Sequence, residues 1–350
     1  MRATPQVQKK SSNFGAGMSS SFNSDASLVR VTIHHSQFPE RIQADLRQSL
    51  AQRQIAHKFH YDSYKQTQRW LQLHETYSPS RTDPNCNSCY DASFVAAASL
   101  IQSSSVHLIG LGCGGGQKDT RLLELLKGKA RRLIYSPVDV STAMVLTAHQ
   151  TASRVVGAEI NPFVCDLSSM ADLADCLDDR VPKEAARLIT FFGMLPNFEP
   201  QSILPQLARF VRPADVLLLS ANLAPGTDYA TGLRRVLPQY DNPLTNDWLS
   251  LFLLDLGVEK SDGQIQWSLE PCPSGNDLQR ITASFTFHKP RSFSLATDPF
   301  HFHPGDKIHL FFSYRYTPEL LKARLAVHGL SLQQEWITPS EEEAVFLILV

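Results

Sequence analysis

The sequence predicts an α/β fold, a doubly wound parallel sheet joined to a second, discontinuous α+β part, and three observations predict it. From about residue 106 to residue 220, short apolar strands alternate with segments of helical apolar spacing, the rhythm that packs helices on both faces of a parallel sheet. The first strand runs into a glycine-rich turn, Gly110-Leu-Gly-Cys-Gly-Gly-Gly116, at the strand end where open α/β sheets place their ligands. The rhythm breaks between about 225 and 312 and then resumes, as it does around an insertion. At 350 residues the chain also exceeds the usual single core, so a partner domain is expected.

In chain order, residues 1–30 are Ser-rich, lack the apolar centre of a secretory signal and the arginines of a transit peptide, and read as a disordered tail. Phe38 to Gln54 and Tyr64 to Tyr77 have helical spacing, the second ended by Pro79 and Arg81. Residues 82–91, rich in Asn, Asp and Cys, read as a loop before a helix from Ala92 to Ile101. Strands are expected at Val106–Leu111, Arg132–Val138, Ala158–Val164, Leu188–Phe192 and Val216–Ser220, with helical spacing at Leu122–Leu126 and Ile203–Phe210 between them. The insertion holds a helix at Asp247–Leu256 and β-rich pieces at Gln264–Leu269 and Ile281–Phe287. A helix at Pro318–His328 and strands at Leu330–Ile337 and Ala344–Val350 close the chain, in the order found at the end of the common methyltransferase sheet. The expected division is a substrate-binding domain from 31–80 and 225–312, and a methyltransferase domain from 81–224 and 313–350.

Composition narrows the function classes. The 33 basic residues nearly balance the 34 acidic ones, so no global field gathers phosphates and nucleic acid is not expected as a partner. No run approaches the roughly 18 apolar residues of a membrane span. The six cysteines lie scattered in apolar stretches, which suits reduced thiols and a cytoplasmic setting. Cys86 and Cys89 form a C-x-x-C pair without a second pair, and His34-His35 and His301-x-His303 lack a third ligand, so these read as loop, surface or packing residues and no metal is expected.

The glycine turn carries the chemistry. Gly112 and Gly114 let backbone N–H groups and a helix start approach a ligand closely. Nicotinamide and flavin enzymes share such turns, and a plain tight turn is the bland alternative. Asp139 closes the second strand, where a carboxylate can accept both ribose hydroxyls, and Asp166 follows the third, where it can accept an adenine amino group. Two acids after successive strands favour S-adenosylmethionine over a dinucleotide, with helix capping as the alternative for each. Asn161-Pro-Phe163 resembles the motif that orients amides in nucleic-acid and protein methyltransferases, but that motif belongs after the fourth strand and this one lies in the third. The fourth leads instead into Phe192-Gly-Met-Leu-Pro-Asn197.

Several segments, in order and spacing, resemble the histidine-specific α-N-methyltransferase family of the ergothioneine pathway, with its fungal relatives acting on prenylated tryptophan. They are Lys58-Phe-His-Tyr-Asp62, Tyr77-Ser-Pro-Ser-Arg81, the glycine turn with Lys118, Pro137-Val-Asp-Val-Ser141, Phe191 to Asn197, Tyr240-Asp-x-x-x-x-Asn246 and Gly305 to Tyr316. The resemblance implies a class I S-adenosylmethionine-dependent methyltransferase with a discontinuous second domain, acting on a free amino acid as a monomer. It implies that Gly112, Gly114, Lys118, Asp139, Asp166 and Leu167 bind the cofactor. It places Tyr61, as the catalytic residue, beside the α-amino group, Asn197 and Tyr240 at the α-carboxylate, and Tyr77, Ala283, Phe311 and Ser313 in the substrate wall.

Three departures shape the expected specificity. Gly110 stands where the family has an acidic residue, so one contact to the methionine portion of the cofactor is absent or made elsewhere. Phe311 stands where a glutamate grips the imidazole, and Ala283 where a methionine fills the pocket. An imidazole N–H buried without a partner costs about 1–3 kcal/mol, so an apolar or aromatic side chain is expected in place of histidine. Methylation of histidine through other polar groups, and a catalytically silent module that binds an amino acid or the cofactor, are the alternatives.

Overall fold

The structure is a computed structural model that describes residues 28–179, 181–275 and 277–350; the expected tail, up to residue 27, lies outside the described residues. The first elements are a short strand β1 (Thr32–Ile33) and the helices α1 (Pro39–Ala51), α2 (Tyr64–Tyr77), α3 (Pro79–Thr82) and α4 (Pro84–Leu100). Ser63 and Gln66 cap α2 with reciprocal bonds, which fixes where the chain leaves the turn at His57–His60.

Residues 82–91 are a correction. They form not a loop but the entry to α4, with Asp83 as N-cap accepting the Asn85 N–H at 2.8 Å and Pro84 in the first turn. Asp-Pro is itself a helix start signal. Cys86, Tyr90, Phe94 and Ala97 then repeat at helical spacing into the core while Asn85, Ser88 and Asp91 face outward.

Next come β2 (Ser105–Leu111), α5 (Gln117–Lys127), β3 (Arg132–Asp139), α6 (Thr142–Ala152), β4 (Ala158–Ile160), β5 (Phe163–Val164), α7 (Leu173–Asp178), β6 (Ala186–Phe191), α8 (Pro200–Phe210) and β7 (Val216–Asn222). The strands β2, β3, β6 and β7 are buried along nearly their whole length, as strands covered on both faces are. The single third strand expected at 158–164 is instead two pieces. β4 pairs with Leu133–Tyr135 and β5 with Val138–Asp139, and between them lies Pro162, which lacks a ladder N–H.

The remainder is α9 (Tyr229–Val236), α10 (Pro243–Asp255), β8 (Gly263–Pro271), β9 (Gln279–Phe287), β10 (Arg291–Leu295), β11 (Asp298–Phe302), β12 (Lys307–Arg315), α11 (Pro318–Val327), β13 (Ser331–Ile337) and β14 (Glu343–Leu349). The main sheet runs β1-β5-β3-β2-β6-β7-β14-β13, with β4 also on β3. It is parallel except for β14, which pairs antiparallel with both β7 and β13. This is the doubly wound class I methyltransferase sheet. β1 extends it at one edge, beside Phe163 and Val164, although sequence periodicity marks only helices in that region.

Strands β8, β9 and β12 form a separate antiparallel sheet, order β12-β9-β8. Its apolar side meets α1, the His57–His60 turn and α10 through Leu50, Phe59, Trp248, Phe252 and Leu310. β12 pairs with β9 from Lys307 through Arg315, across position 312/313, and Tyr316 then bridges to Leu223 at the end of β7. Residues 31–350 gather into one compact unit. Among the described residues no helix is long and apolar enough to cross a membrane.

Candidate active site

At the carboxyl end of β2 the backbone turns through left-handed conformations at Gly112 (φ 67°) and Gly116 (φ 74°). A Cβ on Gly112 would lie 2.4 Å from Met194 Cγ, and one on Gly116 2.8 Å from the Ala148 Cα, so neither geometry nor space admits a side chain. Gly114 sends its N–H to Asp139 Oδ2 at 3.0 Å, and Ser141 sends its own to Oδ1 at 3.1 Å. Each carboxylate oxygen thereby keeps an acceptor site free. Burial pushes the Asp139 pKa up to about 6 against these backbone donors.

Asp166 both caps and pairs. Its Oδ1 accepts the Ser168 N–H and hydroxyl at 2.9 and 2.6 Å, which is the helix-cap alternative, while Oδ2 accepts Lys58 Nζ at 2.7 Å. Burial works against its charge, but the Lys58 ammonium and the Ser168 donors outweigh it and lower the pKa. Lys58 also donates to Asp45 at 2.6 Å, so one ammonium ties α1 to the end of β5. Leu167 follows as an apolar wall residue. Lys118 donates to Tyr90 Oη at 2.7 Å and stands 3.7 Å from Glu343, with burial lowering its pKa.

These residues border one cavity of about 1110 Å³ that also receives Tyr61 and Asn197. That exceeds the roughly 300–1,000 Å³ of ordinary ligand pockets and leaves room for two reactants. Tyr61 sits between Trp70 and Trp248, ring centroids 5.9 and 5.4 Å away, and burial raises its phenol pKa so that it stays protonated. Asn197 ends a turn after β6, and among the described residues nothing bonds its side-chain amide. His57 Nε2 accepts the Phe312 N–H at 3.1 Å. Its remaining Nδ1–H has no partner among the described residues, and burial holds the ring neutral with a pKa of about 3.

The other expected substrate residues lie elsewhere. Tyr240, Ala283, Phe311 and Ser313 cluster behind His57, outside the cavity lining. Phe311 stacks on His57 (4.9 Å, 11°) and lies within 6.3 Å of the Tyr240, Trp248 and Trp267 rings. Ala283 is the β9 partner of both Phe311 and Trp267. Tyr240 Oη donates to Ser313 Oγ at 3.1 Å and accepts Arg315 Nη2 at 2.9 Å. Tyr77 is 50% exposed at the end of α2 and lines neither space.

Sequence reasoning missed His57, Trp70, Asp119 and Asn222, which all line the cavity. His57 directly precedes a segment that carries the resemblance, and Asp119 follows Lys118, so their positions were visible but their directions were not. It also missed the ion-pairing role of Lys58. Among the described residues one group with metal-ligand atoms occurs, His34, Asp172 and Cys176, within 4.8 Å of one another. His34 is already hydrogen-bonded there to Asp172 at 3.0 Å and Ser36 at 2.9 Å.

Acceptors after two successive strands, a close-approach glycine turn and apolar walls at Met144 and Leu167 suit an adenosyl group with a charged amino-acid tail. Fold and site thus define an S-adenosylmethionine-dependent methyltransferase. The family model described as histidine-specific methyltransferase, SAM-dependent, matches residues 40–234 and 273–350, and the chain belongs to that family. It is 25% identical over 249 residues to the N-methyltransferase imqF of Aspergillus flavus, covering 67% of this chain. The chain spans only 65% of that relative's length. Among solved structures, the CcbJ methyltransferase from Streptomyces caelestis is 14% identical with a TM-score of 0.39, over 76% of this chain and 96% of that one. The CurJ carbon methyltransferase is 12% identical with a TM-score of 0.43, over 81% and 59%.

Proposed function

We propose that this protein methylates the α-amino group of a free amino acid whose side chain is aromatic or apolar. The observation that carries the reading is the layer of rings behind the cavity wall: Phe311, where the family resemblance calls for a glutamate, stacks on the neutral cavity residue His57 and is surrounded by Tyr240, Trp248 and Trp267. Glu199, the acid of the cavity wall nearest Asn197 in sequence, is already taken by Arg280 at 3.0 Å and by the Tyr314 hydroxyl at 2.6 Å. A charged side chain entering beside Asn197 finds Glu199 already paired, whereas a ring meets the rings of Tyr61, Trp70 and Phe312 on the wall.

S-adenosylmethionine supplies an activated methyl group on a sulfonium, so the protein has mainly to align a neutral amine with it. In this reading Gly112, Gly114, Lys118, Asp139, Asp166 and Leu167 hold the cofactor, and the free amide of Asn197 takes the substrate α-carboxylate. Tyr240 gives its one hydroxyl hydrogen to Ser313, outside the cavity lining, and takes no part in holding that carboxylate in this reading. Tyr61 lies beside the amine as a protonated phenol, an orienting group and not a base. His57 is too weakly basic to take the ammonium's proton, which leaves for solvent before methyl transfer. The segments 31–80 and 225–312 form the substrate side in this reading, with β12 carrying the chain back to the main sheet.

Histidine is the second reading, favoured by the family description and by the unpartnered Nδ1–H of His57, a donor for an imidazole nitrogen. Mass spectrometry of the protein incubated with S-adenosylmethionine and each of the twenty amino acids tests both. A methylated aromatic amino acid is expected; methylated histidine alone sinks the first reading.

A further inference from the structure

Asp119 is an acid of the cavity wall that no ion pair among the described residues reaches. Asp45, Asp166 and Glu199 each meet a lysine or arginine within 3.2 Å. Asp119, only 3% exposed near the start of α5, accepts instead from two neutral hydroxyls, Tyr135 at 2.7 Å and Thr190 at 2.8 Å. A buried carboxylate without a counter-cation is costly, and one facing a ligand cavity is suited to a cation that arrives with the ligand.

Its place is equally specific. A Cβ on Gly110, near the carboxyl end of β2, would lie 2.1 Å from Asp119 Oδ2 and 3.1 Å from its Cγ. The carboxylate therefore fills the space into which a side chain at 110 would project, and only glycine at 110 leaves room for it. The acid that the sequence lacks on the strand is delivered to the same point by the helix.

We propose that Gly110 and Asp119 together form a relocated carboxylate site, in which Asp119 binds the ammonium of the methionine portion of the cofactor. The proposal rests on the cofactor assignment and is independent of which amine is methylated.

Titration calorimetry with two ligands tests it on the full chain: S-adenosylhomocysteine, which carries the ammonium, and 5′-methylthioadenosine, which lacks the whole amino-acid tail. Asp119→Asn is expected to weaken the first by about 10- to 100-fold, the range of a charge-assisted bond, and to change the second by less than about threefold. Unchanged binding of S-adenosylhomocysteine, or an equal loss for both ligands in a folded variant, overturns the proposal. Because the substitution also disturbs Tyr135 and Thr190, the unaltered protein supplies a second readout. The des-amino analogue of S-adenosylhomocysteine, which keeps the carboxylate, is expected to bind at least about tenfold more weakly than the parent, and equal binding overturns the proposal. If neither adenosyl ligand binds the unaltered protein, the cofactor assignment itself has failed.

Discussion

Phe311→Glu is expected to turn the enzyme toward histidine. The substitution puts a carboxylate against His57, whose ring now lies flat on Phe311 with centroids 4.9 Å apart and whose pKa burial holds at about 3. Two effects follow. In the proposed reading the substrate ring passes His57 to reach position 311, where an imidazole N–H gains a charged acceptor in place of a ring; leaving it unpaired costs about 1–3 kcal/mol, or roughly 5- to 150-fold in a specificity ratio. An aromatic substrate meanwhile loses a ring contact of about 0.5–1.5 kcal/mol and meets a charge that must be desolvated. Both move the ratio of kcat/KM for histidine over tryptophan upward, by about one to three orders of magnitude. Competition of the two amino acids in one reaction, with products counted by mass spectrometry, reads the ratio directly. An unchanged ratio, or one that moves toward tryptophan while the variant still binds S-adenosylhomocysteine, would refute the reading that position 311 governs substrate choice.

Lys58→Met leaves Asp45 and Asp166 facing each other without their shared cation and should lower stability by about 3 kcal/mol in denaturant melts. An unshifted midpoint would show that the bridge contributes nothing. Asp139 and Asp119 both have pKa values raised by burial to about 6, and the ionised forms are the ones that accept ligand donors. Affinity for S-adenosylhomocysteine should therefore fall as the pH drops below about 6. The same raised values mean that the ligand-free protein loses stability as pH rises from about 4 through 6, because the folded state holds protons that the unfolded state has released. Melting curves with and without ligand across that range should diverge, and parallel curves would contradict the titration of these two groups.

Much of this was legible in the sequence, for identifiable reasons. The strands now labelled β2, β3, β6 and β7 are continuous apolar runs between turns, and such runs announce buried parallel strands. The entry to α4 was misread because Asn, Asp and Cys weigh toward loops residue by residue, while Asp83-Pro84 and the spacing of Cys86, Tyr90 and Phe94 argue for a helix. β1 has only two residues, too few for a period, and depends on its neighbour β5. In the site, Asp139 and Asp166 could be found from their places after strands. Asp119 could not, because its part depends on an absent side chain at Gly110, nine residues away along the chain but in contact across the turn.

β12 has a consequence for how such an enzyme diversifies. Successive side chains on this one strand serve different compartments: Phe312 faces the cavity and lies under the Arg280 guanidinium, while Phe311 faces the layer of rings behind His57. On the proposed reading, a single codon at 311 redraws the range of accepted molecules without touching the wall at 312. Selectivity and chemistry are thereby separable under mutation, and a lineage can explore new acceptors while the methyl-transfer apparatus is inherited intact.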